Sequence, residues 1–73
     1  MTKLPAISGQ QCVAALAKVG FYVSRQKGSH IYLRRDDPYV QFSVPNHKTI
    51  YKGTIKHICR QAGLTVEELN ALL

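Results

Sequence analysis

The chain has 73 residues, and we expect residues 1–73 to form one small domain. A domain of this size buries only about 60% of its chain surface, which excludes a large internal substrate cavity. The formal net charge is +6, from ten Lys and Arg against four Asp and Glu, and it favours a polyanionic partner. The sequence has no apolar run of 18 residues and no signal-peptide core near its start. We therefore expect a soluble, cytoplasmic protein without membrane contact.

The first predicted element is a helix in the segment ISGQQCVAALAKVG. Ser8 is placed to be its N-cap, and Gln11, three residues later, is placed to close a capping box. Gly20 is expected to end the helix, because the position after the C-cap favours a left-handed backbone. The expected apolar stripe consists of Val13, Leu16, Ala17 and Val19.

Three antiparallel strands are predicted next. Apolar and polar residues alternate on both sides of Lys27–Gly28, which indicates a hairpin, and DDP makes a second turn before the strand YVQFSV. Pro45 is expected to end that strand. The predicted apolar face consists of Phe21, Val23, Ile31, Leu33, Val40, Phe42 and Val44. The predicted open face consists of Tyr22, Ser24, His30, Tyr32, Arg34, Tyr39, Gln41 and Ser43.

Two further helices are expected after the strands. One has a buried face formed by Ile55, Ile58, Cys59 and Ala62, a second face formed by Lys52, Lys56 and Arg60, and a C-cap at Gly63. The last helix is short, with Thr65 as its N-cap and Glu68 as its capping-box partner. The predicted fold is therefore α+β, in the order α-β-β-β-α with a short C-terminal helix. Its three-stranded antiparallel sheet should be covered by helices on one face.

The sequence predicts neither a disulfide nor a metal or cofactor site. Cys12 and Cys59 each fall on the apolar side of a predicted helix, where they should act as small buried side chains. A zinc site using His57 and Cys59 is disfavoured, because residues two apart on a helix point to different faces.

The α-β-β-β-α order is similar to the double-stranded-RNA-binding-domain fold. The segments GFYVSRQKGSHIYLRR, VPNHK and KGTIKHICRQAGLTVEEL more closely resemble the HicA family of toxins, which belong to type II toxin–antitoxin pairs. The resemblance extends from Ser8 to Leu73. It implies an mRNA endoribonuclease that arrests translation and is neutralised by a HicB-type antitoxin. It also implies that His30, in the Gly-Ser-His motif, is the catalytic residue.

RNA can be cleaved without a metal, because the ribose 2′-OH serves as the nucleophile. The protein then has to move protons and stabilise charge on phosphorus, tasks that suit imidazole and cationic side chains. His47 is the candidate for a second proton-transfer group, although nothing in the sequence places it near His30. The residues expected to bind RNA or stabilise charge are Lys27, Gly28, Ser29, Tyr32, Arg34, His47 and Lys52.

Two other functions are compatible with the same composition. A non-catalytic RNA-binding module would need only the fold and the charge. A protein-interaction module would use the basic surface to dock an acidic partner. His30 separates these alternatives from a ribonuclease, because binding alone does not require a titrating group at the mouth of a hairpin.

Overall fold

A computed structural model describes residues 4–73 and shows the predicted α+β order. Residues 1–3 lie outside the described residues. The elements are α1 (Gly9–Ala17), β1 (Tyr22–Lys27), β2 (His30–Asp36), β3 (Tyr39–Pro45), α2 (Lys52–Ala62) and α3 (Val66–Leu72). The strands form one antiparallel sheet in the order β1-β2-β3. The predicted fold class is confirmed.

The β1–β2 hairpin turns at Gly28–Ser29, one residue later than the sequence predicted. Lys27 is therefore the last residue of β1 and pairs directly with His30. Gly28 has a φ of 59°, a left-handed conformation at the first turn position that glycine adopts without steric cost.

The helices cover one face of the sheet, as the pattern required. The Phe21 and Phe42 rings meet edge to face there, with centroids 5.2 Å apart. The buried residues on this side of the sheet are Phe21, which directly precedes β1, and Ile31, Leu33, Phe42 and Val44 of the strands. The fully buried helix residues that pack with them include Leu16, Ile55, Ile58 and Leu69. Side chains of the opposite sheet face are exposed or half-buried, so this face remains open to solvent.

Local capping signals in the sequence are confirmed. The Ser8 hydroxyl accepts from the Gln11 amide, and the Gln11 side chain accepts from the Ser8 amide. Thr65 and Glu68 form the same reciprocal pair at α3. Gly63 caps α2 with a φ of 76°. These bonds satisfy amides and carbonyls that a helix end leaves without partners.

The prediction was wrong at Val23 and Ser24. Val23 lies opposite Leu33 on the helix side but is 48% exposed, because β1 is an edge strand with a neighbouring strand on one side only. A β-bulge follows, with Ser24 as the extra residue, whose hydroxyl donates to the Tyr32 carbonyl at 3.2 Å. The bulge moves the register by one residue, so that Arg25 instead of Ser24 pairs with Tyr32.

The first helix is also shorter than predicted. It ends at Ala17, which is exposed, and Ala15 lies in the core instead. Gly20 has a φ of 95° in the turn that follows, so its left-handed backbone is confirmed although the helix stops earlier. Ile50, in the loop before α2, is a core residue that the sequence did not predict, and its amide donates to the Ile7 carbonyl at 2.8 Å.

Both cysteines are free and buried, as predicted. Burial, with a contribution from the neighbouring Cys59, raises the pKa of Cys12 to about 11. Burial also raises the pKa of Cys59. The thiols therefore stay protonated at neutral pH and act as packing groups.

The start of α1 lies directly on the backbone that follows β3. The Gly9 amide donates to the His47 carbonyl at 2.9 Å. A Cβ on Gly9 would lie 2.9 Å from the Asn46 Cα and closer still to the Pro45 carbonyl oxygen. Because both neighbours are backbone atoms, a side chain at this position would force the helix and the loop apart.

Gly9→Ala should lower the free energy of unfolding by roughly 1–3 kcal/mol, the usual cost of forcing extra atoms into a packed site. Urea denaturation measures the loss. Gly53→Ala is the matched control, because a Cβ there would meet only the exposed Tyr51 ring, 2.9 Å away, which can rotate aside. The control should keep or gain stability through helix propensity. Equal losses of stability in the two variants would show that the close packing of Gly9 on the Pro45–Asn46 backbone is not the cause.

Candidate active site

His30 is exposed at the hairpin end of the open sheet face. It pairs with Lys27 of β1 on one side and with Pro45 of β3 on the other. Directly opposed residues of antiparallel strands project from the same face with Cβ atoms about 5 Å apart. The side chains of His30 and Lys27 therefore project from the same face of the sheet as neighbours.

The hairpin turn is bonded to the loop that follows β3. The Asn46 amide donates to the Ser29 carbonyl at 2.7 Å. The Gln10 side-chain amide donates to the Asn46 side-chain oxygen at 3.2 Å. The Gly9 backbone amide donates to the carbonyl of the next residue, His47, at 2.9 Å. We call residues 28–30, 45–47 and Gly9 the turn–loop junction. The helix α1 is anchored in the core, and the junction connects it through the loop after β3 to the hairpin turn beside His30.

The junction also brings His47 to the same end of the sheet. His47 is exposed and follows Pro45, the partner of His30, by two residues. One strand spacing and two residues of chain place the Cα atoms of the two histidines within roughly 13 Å of each other. Their proximity is a property of the fold that the sequence alone does not contain.

Exposed cations follow the junction along the chain, in the loop after β3 and on α2. Lys48 follows His47 in the loop, and Lys52 is the first residue of α2. Lys56 and Arg60 continue the same α2 face at intervals of four residues, and both are exposed. The four acidic residues of the chain lie elsewhere, with Asp36 and Asp37 at the far end of the sheet and Glu67 and Glu68 on α3.

Arg34 does not lie beside His30. It shares the open face but is four residues further along β2, roughly 13 Å away. Its Nε donates to the Asp36 carboxylate at 2.8 Å, and its guanidinium carbon lies 5.2 Å from the centre of the Tyr39 ring. Arg34 is therefore part of a second cluster at the far end of the sheet.

Tyr22 and Gln41 complete this far cluster. The Tyr22 hydroxyl donates to the other Asp36 oxygen at 2.9 Å, and this bond raises the pKa of the phenol. Tyr22 therefore stays protonated at neutral pH and is a hydrogen-bonding group, not a base. The Tyr39 hydroxyl donates to the Gln41 side-chain oxygen at 2.6 Å.

Arg25 is an open-face residue that sequence reasoning missed. Its guanidinium carbon lies 4.7 Å from the centre of the Tyr32 ring, and Tyr32 is only two residues from His30. The cause is the bulge at Ser24, which moves Arg25 onto the open face. The sequence signal is weak: in the run SRQK the apolar and polar alternation of β1 simply stops.

The neighbouring Arg35 serves the opposite face. Its guanidinium carbon lies 4.7 Å from the centre of the Phe21 ring, and its Nε donates to the Pro38 carbonyl at 3.4 Å. Of the two adjacent arginines, Arg34 is thus available to the open surface and Arg35 covers the edge of the core.

Within residues 4–73, His, Cys, Asp and Glu side chains form no group of three or more that could hold a metal ion. In the same part of the chain, each helix is too short or too polar to span a membrane.

The fold and surface define a small, basic α+β domain with histidine, lysine, arginine and tyrosine side chains on an open sheet. A family model described as the HicA toxin of bacterial toxin–antitoxin systems matches residues 9–64, more than half of the chain. The chain belongs to the HicA toxin family. It is thus a toxin of a toxin–antitoxin pair, a class whose partner is an antitoxin and whose target is RNA. No curated protein matches the chain significantly.

Proposed function

We propose that this chain is a metal-independent mRNA endoribonuclease that acts in the cytoplasm and arrests translation, with residues 1–73 as one toxin domain. The observation that carries the proposal is the exposed His30 directly opposite Lys27, held by the turn–loop junction at the end of an open basic surface. Pure RNA binding does not need a proton-transfer group at this position, whereas cleavage does.

The proposed reaction uses the ribose 2′-OH. The imidazole of His30 removes its proton, and the oxygen attacks the adjacent phosphorus. The bond from O2′ to phosphorus forms while the bond from phosphorus to O5′ breaks, which leaves a 2′,3′-cyclic phosphate and a new 5′-hydroxyl. His47 donates the proton that the leaving oxygen takes up. Lys27 stabilises the negative charge that develops on the phosphoryl oxygens.

The remaining candidates hold the RNA. A Cβ on Gly28 would meet nothing within 4 Å, so the tip of the turn leaves space for a phosphate. Ser29 uses its carbonyl in the junction and keeps its hydroxyl for a phosphate oxygen. Lys52 attracts the RNA backbone from the α2 side, while Tyr32 and Arg34 lie further along the open face.

The proposed antitoxin is of the HicB type and covers the His30 face. Its acidic groups would be steered toward a toxin of charge +6, whose residues 38–66 contain no acid. Tyr39, which is 59% exposed, offers the kind of aromatic anchor that interfaces favour. Antitoxin and RNA would then compete for one surface.

His30→Ala should reduce RNA cleavage by roughly 10²–10⁴-fold, the usual contribution of a general acid–base group. The fold should persist, because the side chain is exposed. Cleavage rates and circular dichroism measure both properties. His57→Ala, an exposed histidine on α2, is the control and should cleave normally. A folded His30→Ala protein with wild-type activity would refute the assignment, and RNA binding without any cleavage by wild type would favour the binding module.

Cleavage should proceed in EDTA and should stop when the 2′-OH at the cut site is replaced by hydrogen. The site contains imidazole and ammonium groups, whereas the carboxylates, which are the side chains that bind magnesium, lie in the far cluster, the second turn and α3. Mass spectrometry of the products should show a cyclic phosphate or its hydrolysis product. Activity that is lost on chelation and restored by magnesium would contradict this chemistry.

Hydrogen exchange of the toxin with and without its antitoxin should show protection on residues 22–43 of the open sheet. Lys52→Ala should mainly slow association and weaken its salt dependence, because it changes a charge at the rim. Tyr39→Ala should mainly speed dissociation, because it removes an anchor. Protection confined to the helical side would rule out direct blocking of His30.

A further inference from the structure

The open face carries two arginine–tyrosine stacks that the proposed cleavage step does not use. The first is Arg25 over Tyr32, at 4.7 Å, and the second is Arg34 over Tyr39, at 5.2 Å. Each pair presents a planar cation together with an aromatic ring on an exposed surface. Nucleobases stack on both aromatic rings and guanidinium planes, and phosphates bind to guanidinium.

The two stacks and His30 are aligned along the sheet. Tyr32 follows His30 by two residues of β2, about 6.6 Å, on the same face. Tyr39 and Tyr32 are separated by four residues along β3 and one strand spacing, because Tyr32 pairs with Ser43. Their Cα atoms are thus roughly 14 Å apart. A continuous row runs from the reacting group through the first stack to the second.

We infer that this row is a track for single-stranded RNA, with the Arg25–Tyr32 and Arg34–Tyr39 stacks as two base-binding platforms. The inference rests on the proposed ribonuclease function and adds the form of its substrate. Bases in a duplex stay stacked at about 3.4 Å per step with their edges paired, so they cannot separate onto platforms roughly 14 Å apart. An unpaired strand with splayed bases can.

Asp36 is the positioning residue of the second platform. It accepts from Arg34 at 2.8 Å and from Tyr22 at 2.9 Å, which holds the guanidinium near the Tyr39 ring. This acid reduces the local positive charge, so the second platform relies on stacking more than on charge. In the first platform Arg25 stacks on Tyr32 and, within residues 4–73, has no ion pair like that between Arg34 and Asp36. Arg25 and Lys27 both lie on the edge strand β1, where their positive charges attract the RNA backbone.

The test measures binding of a labelled single-stranded RNA hexamer to the full-length His30→Ala protein, which should bind RNA without cutting it. In this background Tyr32→Ala and Tyr39→Ala should each weaken binding by roughly 5–150-fold, the range for loss of one base-stacking aromatic. Tyr32→Phe should retain affinity, because it keeps the ring. Tyr51→Ala is the matched control and should bind normally, since Tyr51 is exposed before α2 and off the sheet. The paired duplex of the same sequence should bind more weakly than the single strand.

Salt dependence separates stacking from charge. Lys27→Ala should lower the slope of log affinity against log salt by about 0.7, as expected for one phosphate contact on a single strand. The tyrosine substitutions should leave that slope unchanged. Alanine variants of both tyrosines that bind like their parent, a loss with Tyr51→Ala equal to theirs, or preference for the duplex would each overturn the track.

The two proposals fail in different ways. If wild type cleaves RNA and His30→Ala does not, while Tyr32→Ala and Tyr39→Ala bind normally, the ribonuclease stands and the track falls. If the tyrosine variants lose binding as expected but wild type cleaves nothing, the track stands and the catalytic proposal falls.

Discussion

The 2.7 Å hydrogen bond from the Asn46 amide to the Ser29 carbonyl is the contact on which the candidate site depends. A hairpin turn at the edge of a small sheet is otherwise free to fray, because few buried contacts hold it. Asn46 links this turn to the loop after β3, and the Gly9 amide links the same loop to α1 through the His47 carbonyl. The end of the sheet that carries His30 is thus also tied to α1, which is anchored in the core through Leu16.

Burial on one side of the sheet explains why the site is a surface and not a cavity. A chain of 73 residues has enough apolar side chains to cover one sheet face. The helices α1 and α2 pack on that face, and α3 packs against both of them. The other face must then be polar, and here its polarity takes the form of imidazole, ammonium, guanidinium and phenol groups. An extended polymer such as RNA suits a flat surface, because it can contact several groups in a row without entering a pocket.

Charge is distributed so that each end of the open face has a different character. At the hairpin end His30 and Lys27 lie at the opposite end of the sheet from Asp36 and Asp37, which favours a phosphate that gains charge in the proposed cleavage. At the far end Asp36 balances Arg34 and orders the tyrosines around it. The adjacent residues Arg34 and Arg35 lie on opposite faces of the sheet, so of this pair Arg34 is the one that contributes to the open face.

The sequence by itself determined the element order, both capping boxes, and the placement of His30 on an open face. These features follow from local spacing, because caps act over three residues and strands alternate with period two. Only the tertiary structure decided that Val23 is exposed, that Arg25 stacks on Tyr32, and that His47 lies at the same end of the sheet as His30. A bulge shifts every later residue of its strand without changing the composition, so alternation cannot reveal it. The approach of α1 to the loop after β3 joins residues nearly forty positions apart, and such contacts exist only once the core has packed.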